Sequence, residues 1–233
     1  MKVTVISDDK VLSQNLIAKH SYSILLEVGF NKYLFGAAAD HNTLEHNTKE
    51  LDIDLATIDY LIVSHEHTPH YGGYRFVAQE APFVDALIPY GSSESLGLMF
   101  RQHALKPMEV TTWTRLSEGV YLSAPFYGPP YEHFLVLNHS KGLVVISGCM
   151  HSGVRVLENI ARFFNRRIYA LIGGFHLYNA PLDIVDRAVA FIADTVKPDL
   201  VIPLHCSGNA FIYKLKDRGI NVVEAGAGFS IRI

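Results

Sequence analysis

Three histidines, His65, His67 and His70, lie close together where an apolar segment of the chain ends. Imidazole is neutral near neutral pH, so a loop that presents several histidines binds zinc, iron or manganese without needing thiolates. Because His65 and His67 are two residues apart, they project to the same side of an extended segment and are predicted to share one ion. His70 is predicted to reach a second ion once the chain bends. This pattern indicates a metal centre.

Three further histidines, His151, His176 and His205, each follow an apolar run typical of a β-strand. The ends of strands in one sheet converge at the same edge, so residues far apart in sequence meet there. We therefore predict that most of the six histidines form a metal centre and serve catalysis. The alternative is that they occupy histidine-rich surface loops with no shared role.

The residues around these histidines resemble the metallo-β-lactamase superfamily, whose main signature is His-x-His-x-Asp-His after a strand. Within it, the chain is most similar to the branch of dihydropterin-ribofuranosyl-aminobenzene-phosphate synthase-like metal-dependent hydrolases. Besides the histidine loop, the resemblance is carried by residues 20–27, 58–61, 142–149, 172–177 and 203–208. It implies an α/β (α+β) fold, an αββα sandwich with two mixed sheets flanked by helices.

The resemblance also implies a ligand set. His65, His67 and His151 correspond to the ligands of a first metal, and His70 and His205 to ligands of a second. His176 falls near the place where most members have a bridging aspartate. A histidine cannot bridge two ions as a carboxylate does, so His176 is expected either to bind one ion terminally or to contact the substrate.

Two departures from the family pattern remove carboxylates. Pro69 stands where the signature has aspartate, and Gly36 stands where the family has the aspartate of a Phe-Asp-Thr-Gly turn. Proline offers no ligand oxygen. A site built from histidines keeps more positive charge, so one ion is favoured over two, with zinc preferred and iron or manganese as alternatives. A carboxylate to orient water must come from elsewhere, and the candidates are Glu66, Asp40, Asp8 and Asp9.

Two classes of function follow. The first is a metal-dependent hydrolase acting on a small ester or phosphate-bearing substrate through a metal-activated water. The second is a catalytically weakened member that serves as a small-molecule sensor or binding module, because Pro69 removes the motif aspartate. Synthase chemistry of the kind in the branch name is a third, weaker interpretation.

Ser207 and Gly208 precede a predicted helix, and the free backbone N–H groups at the start of that helix offer an anion site. An ordinary helix cap explains these residues too.

The composition and net charge of the chain limit the classes of partner that it is expected to bind. A 233-residue chain with 49% hydrophobic residues fits a single domain over residues 1–233. The net charge of -3, with no basic run denser than Arg166 and Arg167, argues against nucleic acid as a partner. No apolar run approaches the roughly 18 residues that span a bilayer, and the N-terminus begins directly with a strand, so no membrane partner and a cytoplasmic location are expected. A small-molecule substrate remains, and the sequence does not indicate an oligomeric state.

The two cysteines, Cys149 and Cys206, are interpreted as packing residues, with a thiolate ligand as the alternative. A loop over residues 123–131 combines aromatic residues and prolines. It is interpreted equally as a lid or as an ordinary connection.

Apolar patterning predicts strands near residues 2–6, 22–27, 31–35, 59–63, 84–89, 120–123, 133–138, 142–146, 168–172, 200–203 and 221–224. Helices are predicted over residues 42–50, 92–104, 153–165, 182–196 and 209–217.

Overall fold

The structure, a computed structural model, describes residues 1–233. The chain forms two compact units. Unit 1 comprises Met1–Thr111 together with Ala225–Ile233, and unit 2 comprises Thr112–Glu224. The prediction of a single domain over residues 1–233 is not tested by this division and stays a prediction.

Unit 1 is built on a seven-stranded sheet with the order β15-β1-β2-β3-β4-β5-β6. Its strands are β1 (Lys2–Ser7), β2 (Ser23–Val28), β3 (Asn31–Phe35), β4 (Tyr60–Ile62), β5 (Asp85–Ile88), β6 (Lys106–Glu109) and β15 (Ser230–Arg232). The strands from β15 to β3 pair antiparallel, whereas β3 to β6 pair parallel. The sheet is therefore mixed.

The helices of unit 1 are α1 (His41–Glu50), α2 (Tyr74–Glu80) and α3 (Leu98–Arg101), with short 3-10 turns at Leu55–Thr57 and Thr68–His70 and a π-helical turn at Ser93–Gly97. Asp40 begins α1, because its carboxylate accepts the backbone N–H of Thr43 at 2.9 Å. Leu44, Val77 and Phe100 from the three helices enter one buried cluster with Leu34 and Leu61 of the sheet. This cluster is the core of unit 1.

Unit 2 is built on a six-stranded sheet with the order β14-β13-β12-β11-β8-β7, beside a separate two-stranded hairpin. The sheet strands are β7 (Thr114–Ser117), β8 (Val120–Leu122), β11 (Leu135–His139), β12 (Gly142–Ser147), β13 (Ile168–Gly173) and β14 (Leu200–Pro203), and the hairpin strands are β9 (Phe126–Tyr127) and β10 (Tyr131–Glu132). The helices are α4 (Val156–Phe164), α5 (Leu182–Phe191) and α6 (Asn209–Asp217), with a π-helical turn at Ile192–Val196 and a 3-10 turn at His205–Ser207.

The three strands β12, β13 and β14 run parallel and in register, with Ser147 opposite Gly173 and Gly173 opposite Pro203. They are almost continuously buried, as parallel strands covered on both faces are. The other sheet pairings in unit 2 are antiparallel. The three predicted metal ligands of this unit lie just beyond the ends of these three parallel strands.

Most predicted elements agree with the structure, but the edge strands β6, β7 and β15 were not predicted. The strand predicted at 221–224 is wrong, because only Val222 forms an isolated bridge, to Val201. The helix predicted over 92–104 is a π-helical turn followed by the four-residue α3, and α2 was missed. The loop at 123–131 carries the hairpin of β9 and β10. None of the helices combines the length and the apolar character needed to cross a bilayer.

Candidate metal centre

Unit 1 brings its three predicted histidines together just beyond β4. The ring centre of His65 lies 4.8 Å from that of His67 and 4.1 Å from that of His70. His65 and His70 are fully buried, whereas His67 is exposed. The Nδ1 atom of His65 lies 2.9 Å from the Ser64 hydroxyl, which orients the ring. Buried rings next to an exposed one form a cluster that is open on one side.

Backbone contacts fix this loop. The N–H of Tyr22 donates to the carbonyl of Pro69 at 2.9 Å, and the N–H of Ala37 donates to the carbonyl of His70 at 2.8 Å. The backbone at Gly72 approaches so closely that a Cβ there would lie 1.9 Å from the Ala39 carbonyl oxygen. Pro69 therefore contributes a carbonyl to the scaffold in place of the carboxylate that the family signature has there.

Unit 2 places its predicted ligands beyond the ends of β12, β13 and β14. His151, His176 and His205 follow the aligned row of strand ends by four, three and two residues. The rings of His151 and His176 lie 4.2 Å apart. Met150, His176 and His205 have φ angles of 60°, 54° and 49°, a left-handed conformation that costs energy in residues with a side chain. Such residues concentrate at functional sites, and here they turn three strand ends toward one edge.

Glu132, which supports the site, was missed in the sequence. Its carboxylate is fully buried and accepts the backbone N–H groups of Cys149, Met150 and His151 at 2.8, 3.0 and 2.7 Å. Burial raises the pKa of Glu132 to about 7, against the lowering effect of those three N–H groups. The available signal was a lone acidic residue two positions before the apolar run that begins at Phe134. Glu132 shapes the turn that presents His151.

The two cysteines belong to the same edge of unit 2. Donor atoms of Cys149, His176 and Cys206 all lie within 4.8 Å of one another. The Cys149 sulfur also lies within 4.8 Å of a ring nitrogen of His151 and of His205. Neither cysteine is in a disulfide, and both are buried. The interpretation of the cysteines as packing residues alone is incomplete, because their sulfurs face imidazoles.

Hydrogen bonding polarises this cluster. A hydrogen bond from the Cys149 thiol, opposed by burial and reinforced by His176, holds the pKa of Cys206 well below its usual value. The hydrogen bond with Cys206 in turn raises the pKa of His176, although burial opposes it. The backbone N–H of His176 also donates to the Cys206 sulfur at 3.2 Å. These contacts favour a thiolate at Cys206.

A cavity of about 650 Å³ opens beside His151 and His176 within unit 2. Its walls are largely apolar and include Phe175, Leu177, Ile184, Ala188 and Phe191. Two arginines, Arg155 and Arg187, reach it, and the guanidinium of Arg155 lies 5.5 Å from the centre of the Phe191 ring. This volume suits a small molecule with an apolar body.

The carboxylates considered as substitutes have other contacts. Glu66 accepts a hydrogen bond from the Ser92 hydroxyl at 2.9 Å. Asp40 caps α1 and pairs with Lys19 at 2.7 Å, and these contacts hold its pKa below the usual value although burial raises it. Asp9 lies 3.1 Å from the His20 ring, and Asp8 accepts the Lys10 N–H at 3.2 Å. None of these observations assigns a water-orienting role.

The predicted anion site at Ser207 and Gly208 stays a prediction. The Ser207 hydroxyl is buried and donates to the Leu204 carbonyl at 2.5 Å, so its proton is directed inward. Neither residue caps α6 with a side chain. Gly208 is required by sterics, because a Cβ there would lie 2.7 Å from the Tyr178 Cα.

The fold and this edge of strand ends define a class of protein. The family model of the metallo-beta-lactamase superfamily matches residues 34–164, more than half of the chain. The chain belongs to the metallo-β-lactamase superfamily. A curated relative from Methanocaldococcus jannaschii, named 7,8-dihydropterin-6-methyl-4-(beta-D-ribofuranosyl)-aminobenzene-5'-phosphate synthase, is 24% identical and aligns over 86% of each chain.

Solved structures share the fold over the full chain. A metal-dependent hydrolase of the beta-lactamase superfamily, Tm1679, superposes with a TM-score of 0.86 at 22% identity and covers 100% of this chain and 99% of its own. The short form of human tRNase Z superposes with a TM-score of 0.68 at 12% identity, covering 100% and 99%. The predicted fold of two mixed sheets flanked by helices is confirmed.

Membership of this superfamily implies metal binding, and the residues present fit that implication. Zinc takes sulfur and nitrogen ligands, and unit 2 holds two cysteine sulfurs and a histidine nitrogen within 4.8 Å of one another. In unit 1, the His65 ring contacts those of His67 and His70. These donors are nitrogen and sulfur atoms. They suit zinc, whereas the harder cations magnesium and calcium take oxygen ligands.

Proposed function

We propose that the protein is a metal-dependent hydrolase of a small ester or phosphate-bearing substrate. The observation that carries the proposal is the His151 and His176 pair at the wall of a cavity that also presents Arg155. Superfamily membership supplies the reaction class, and the cavity supplies room for a substrate beside histidines. A cytoplasmic location belongs to the same proposal.

The proposed ligands are those that the family resemblance implied: His65, His67 and His151 for one ion, with His70 and His205 for a second. Zinc is the preferred metal, and among these histidine ligands one ion is favoured over two because Pro69 and Gly36 bring no carboxylate. When bound, such an ion lowers the pKa of a coordinated water toward about 7 and so makes a nucleophile available at neutral pH. His176, an exposed residue at the cavity wall, is expected either to bind one ion terminally or to contact the substrate.

The cavity supports an amphipathic, anionic substrate. Apolar walls bind the body of the molecule, and arginine pairs well with carboxylate or phosphate oxygens. Arg187 is already paired with Asp183 at 2.9 Å, whereas Arg155 lies over an aromatic ring. Arg155 is therefore the proposed anchor for the anionic group. Nucleic acid is not proposed as the substrate despite the likeness to tRNase Z, because the net charge is -3 and basic residues do not cluster in the sequence.

A second candidate, a binding module without catalysis, is favoured by one observation. Gly36 has a φ of 81°, and a Cβ there would lie 2.6 Å from the Tyr22 carbonyl oxygen. The fold therefore has no room for the family aspartate at that place. This candidate keeps the cavity and the metal but lacks the groups that orient water.

The experiment that separates the two candidates combines metal content with turnover. Protein purified without chelator is assayed for bound metals and then tested against nitrophenyl esters, phosphomonoesters and phosphodiesters. A hydrolase turns over at least one class, and His67→Ala removes a ligand and so lowers that turnover by more than the roughly 10 to 100-fold typical of losing an outer-shell partner. His46→Ala, on an exposed position of α1, is the matched control and keeps full activity. Bound metal without turnover of any class favours the binding module.

A further inference from the structure

Two cysteines and a histidine of unit 2 come from three different strand ends yet meet at one point. Cys149 follows β12, His176 follows β13, and Cys206 follows β14, and their donor atoms lie within 4.8 Å of one another. We propose that Cys149, His176 and Cys206 bind one zinc ion through two sulfurs and one imidazole nitrogen. The proposal rests on the proposed metal binding but is independent of hydrolysis, and it gives roles to the cysteines that the family resemblance does not.

The distances are compatible with a zinc site before the ion draws its ligands together. Zinc binds sulfur at about 2.3 Å and nitrogen at about 2.0–2.1 Å, so tetrahedral donors lie roughly 3.3–3.8 Å apart. The donors here start from no more than 4.8 Å. Small side-chain rotations close that difference without moving the strands.

The backbone around the cluster is built to hold the sulfurs in place. Gly174 packs between the two cysteines, because a Cβ there would lie 2.7 Å from the Cys206 sulfur and 3.2 Å from the Cys149 Cα. The N–H of His176 donates to the Cys206 sulfur at 3.2 Å, an outer-shell contact common for thiolate ligands. His176 itself adopts the left-handed φ of 54° that brings its N–H to this position.

The donor set also explains which metal is selected. Two thiolates offset both charges of a zinc ion, so this site needs no carboxylate. Thiolates are soft ligands and favour zinc over manganese. A site with two cysteines and one histidine leaves a fourth position, and ring nitrogens of His151 and His205 lie within 4.8 Å of the Cys149 sulfur. Water completes the tetrahedron, because these two imidazoles serve the other proposed ions.

The decisive test is X-ray absorption at the zinc edge on the intact, zinc-loaded protein, because it requires no variant. We expect sulfur scattering at about 2.3 Å with nitrogen at about 2.0 Å. A zinc shell made only of nitrogen and oxygen overturns the proposal. So does a disulfide between Cys149 and Cys206 in protein purified without reductant, detected by thiol counting after denaturation.

Variants give a second readout that does not depend on activity. The Co²⁺-substituted protein is expected to show a thiolate-to-cobalt charge-transfer absorption, which the double variant Cys149→Ser/Cys206→Ser loses together with one zinc per chain. His139→Ala is the matched control, since His139 pairs with Gly142 at the start of β12 rather than at its end. Unchanged zinc content in a folded double variant overturns the proposal, and turnover measured in parallel shows whether the hydrolase proposal stands without it.

Discussion

The carboxylate of Glu132 organises a backbone turn of unit 2, although its sequence position next to a proline-rich loop does not indicate this role. It gathers three successive backbone N–H groups, those of Cys149, Met150 and His151, into one buried cluster of hydrogen bonds. The hairpin that carries it also packs closely, since a Cβ at Gly128 would lie 2.3 Å from the His151 carbonyl oxygen. The hairpin of β9 and β10 therefore supports the backbone that carries His151, a proposed ligand.

Glu132→Gln is expected to lower the free energy of unfolding by about 1–3 kcal/mol, because the amide nitrogen leaves at least one buried N–H without an acceptor. Urea denaturation measures the change. Glu118→Gln, at an exposed position of the same unit, should leave the free energy of unfolding unchanged within about 0.5 kcal/mol. Equal stability of both variants would show that Glu132 does not organise the turn.

Arg155 is expected to set the preference for anionic substrates. Arg155→Ala removes a charge-assisted hydrogen bond of about 1.5–3 kcal/mol, so the KM for a carboxylate- or phosphate-bearing substrate should rise roughly 10 to 100-fold while kcat changes little. A neutral ester of the same size should be unaffected. The control is Arg162→Ala, on helix α4, which Arg155 immediately precedes; Arg162 does not line the cavity. Equal effects on charged and neutral substrates would contradict the assignment.

Among the elements of the fold, helix α1 depends on a charged cap. The carboxylate of Asp40 accepts the Thr43 N–H at 2.9 Å and pairs with Lys19 at 2.7 Å. Asp40→Ala is expected to cost about 1 kcal/mol of unfolding free energy. Asp40→Asn keeps a capping oxygen but loses the ion pair, so it separates the two effects.

The pH dependence follows from the lowered pKa of Asp40, which hydrogen bonds from Lys19 and Thr43 bring about although burial raises it. A carboxylate whose folded pKa is below its unfolded value of about 3.9 stabilises the fold above that value. This contribution disappears as the pH falls through the folded pKa. Wild type should therefore lose its advantage over Asp40→Asn on acidification, as seen in unfolding curves between about pH 6 and pH 2. A constant difference would contradict the assignment.

Most central elements could be predicted from the sequence, whereas three of the four strands at the edges of the two large sheets could not; the fourth, β14, is fully buried and was predicted. The missed strands β6, β7 and β15 all lie at the edge of a sheet. Their residues are largely exposed or half-buried, so they lack the apolar pattern that identifies β12 or β13. Helix α2 has only seven residues, too few for a clear helical period. Pairing with a neighbouring strand, rather than local sequence, makes these edge elements.

The same limit applies to the site. The six histidines were found because each follows an apolar run, which is a local signal. Glu132 and the meeting of Cys149 with Cys206 depend on contacts across 17 or more residues of sequence, and no local pattern reports those. Sequence reasoning therefore identified donors at strand ends but missed the groups that hold the strand ends together.

For the molecule as a whole, the fold persists where sequence has largely diverged, with a TM-score of 0.86 at 22% identity over the full chain. Against that conserved frame, the change of aspartate to Pro69 alters charge rather than shape. The Pro69 carbonyl accepts the Tyr22 N–H at 2.9 Å, and any residue supplies that carbonyl. The metal content of the whole chain is the property that this substitution should change.

Pro69→Asp is therefore expected to raise metal content toward one additional ion per chain, because a carboxylate adds a ligand oxygen and offsets positive charge at a site otherwise built from imidazoles. The loop should keep its backbone hydrogen bonds, and aspartate is well tolerated at the start of a short helical turn such as Thr68–His70. Elemental analysis of protein purified without chelator measures the change. Pro82→Asp, at an exposed position of unit 1, controls for an added surface charge and should leave the content unchanged. If Pro69→Asp folds normally and binds no more metal than wild type, the missing aspartate is not what limits the second ion.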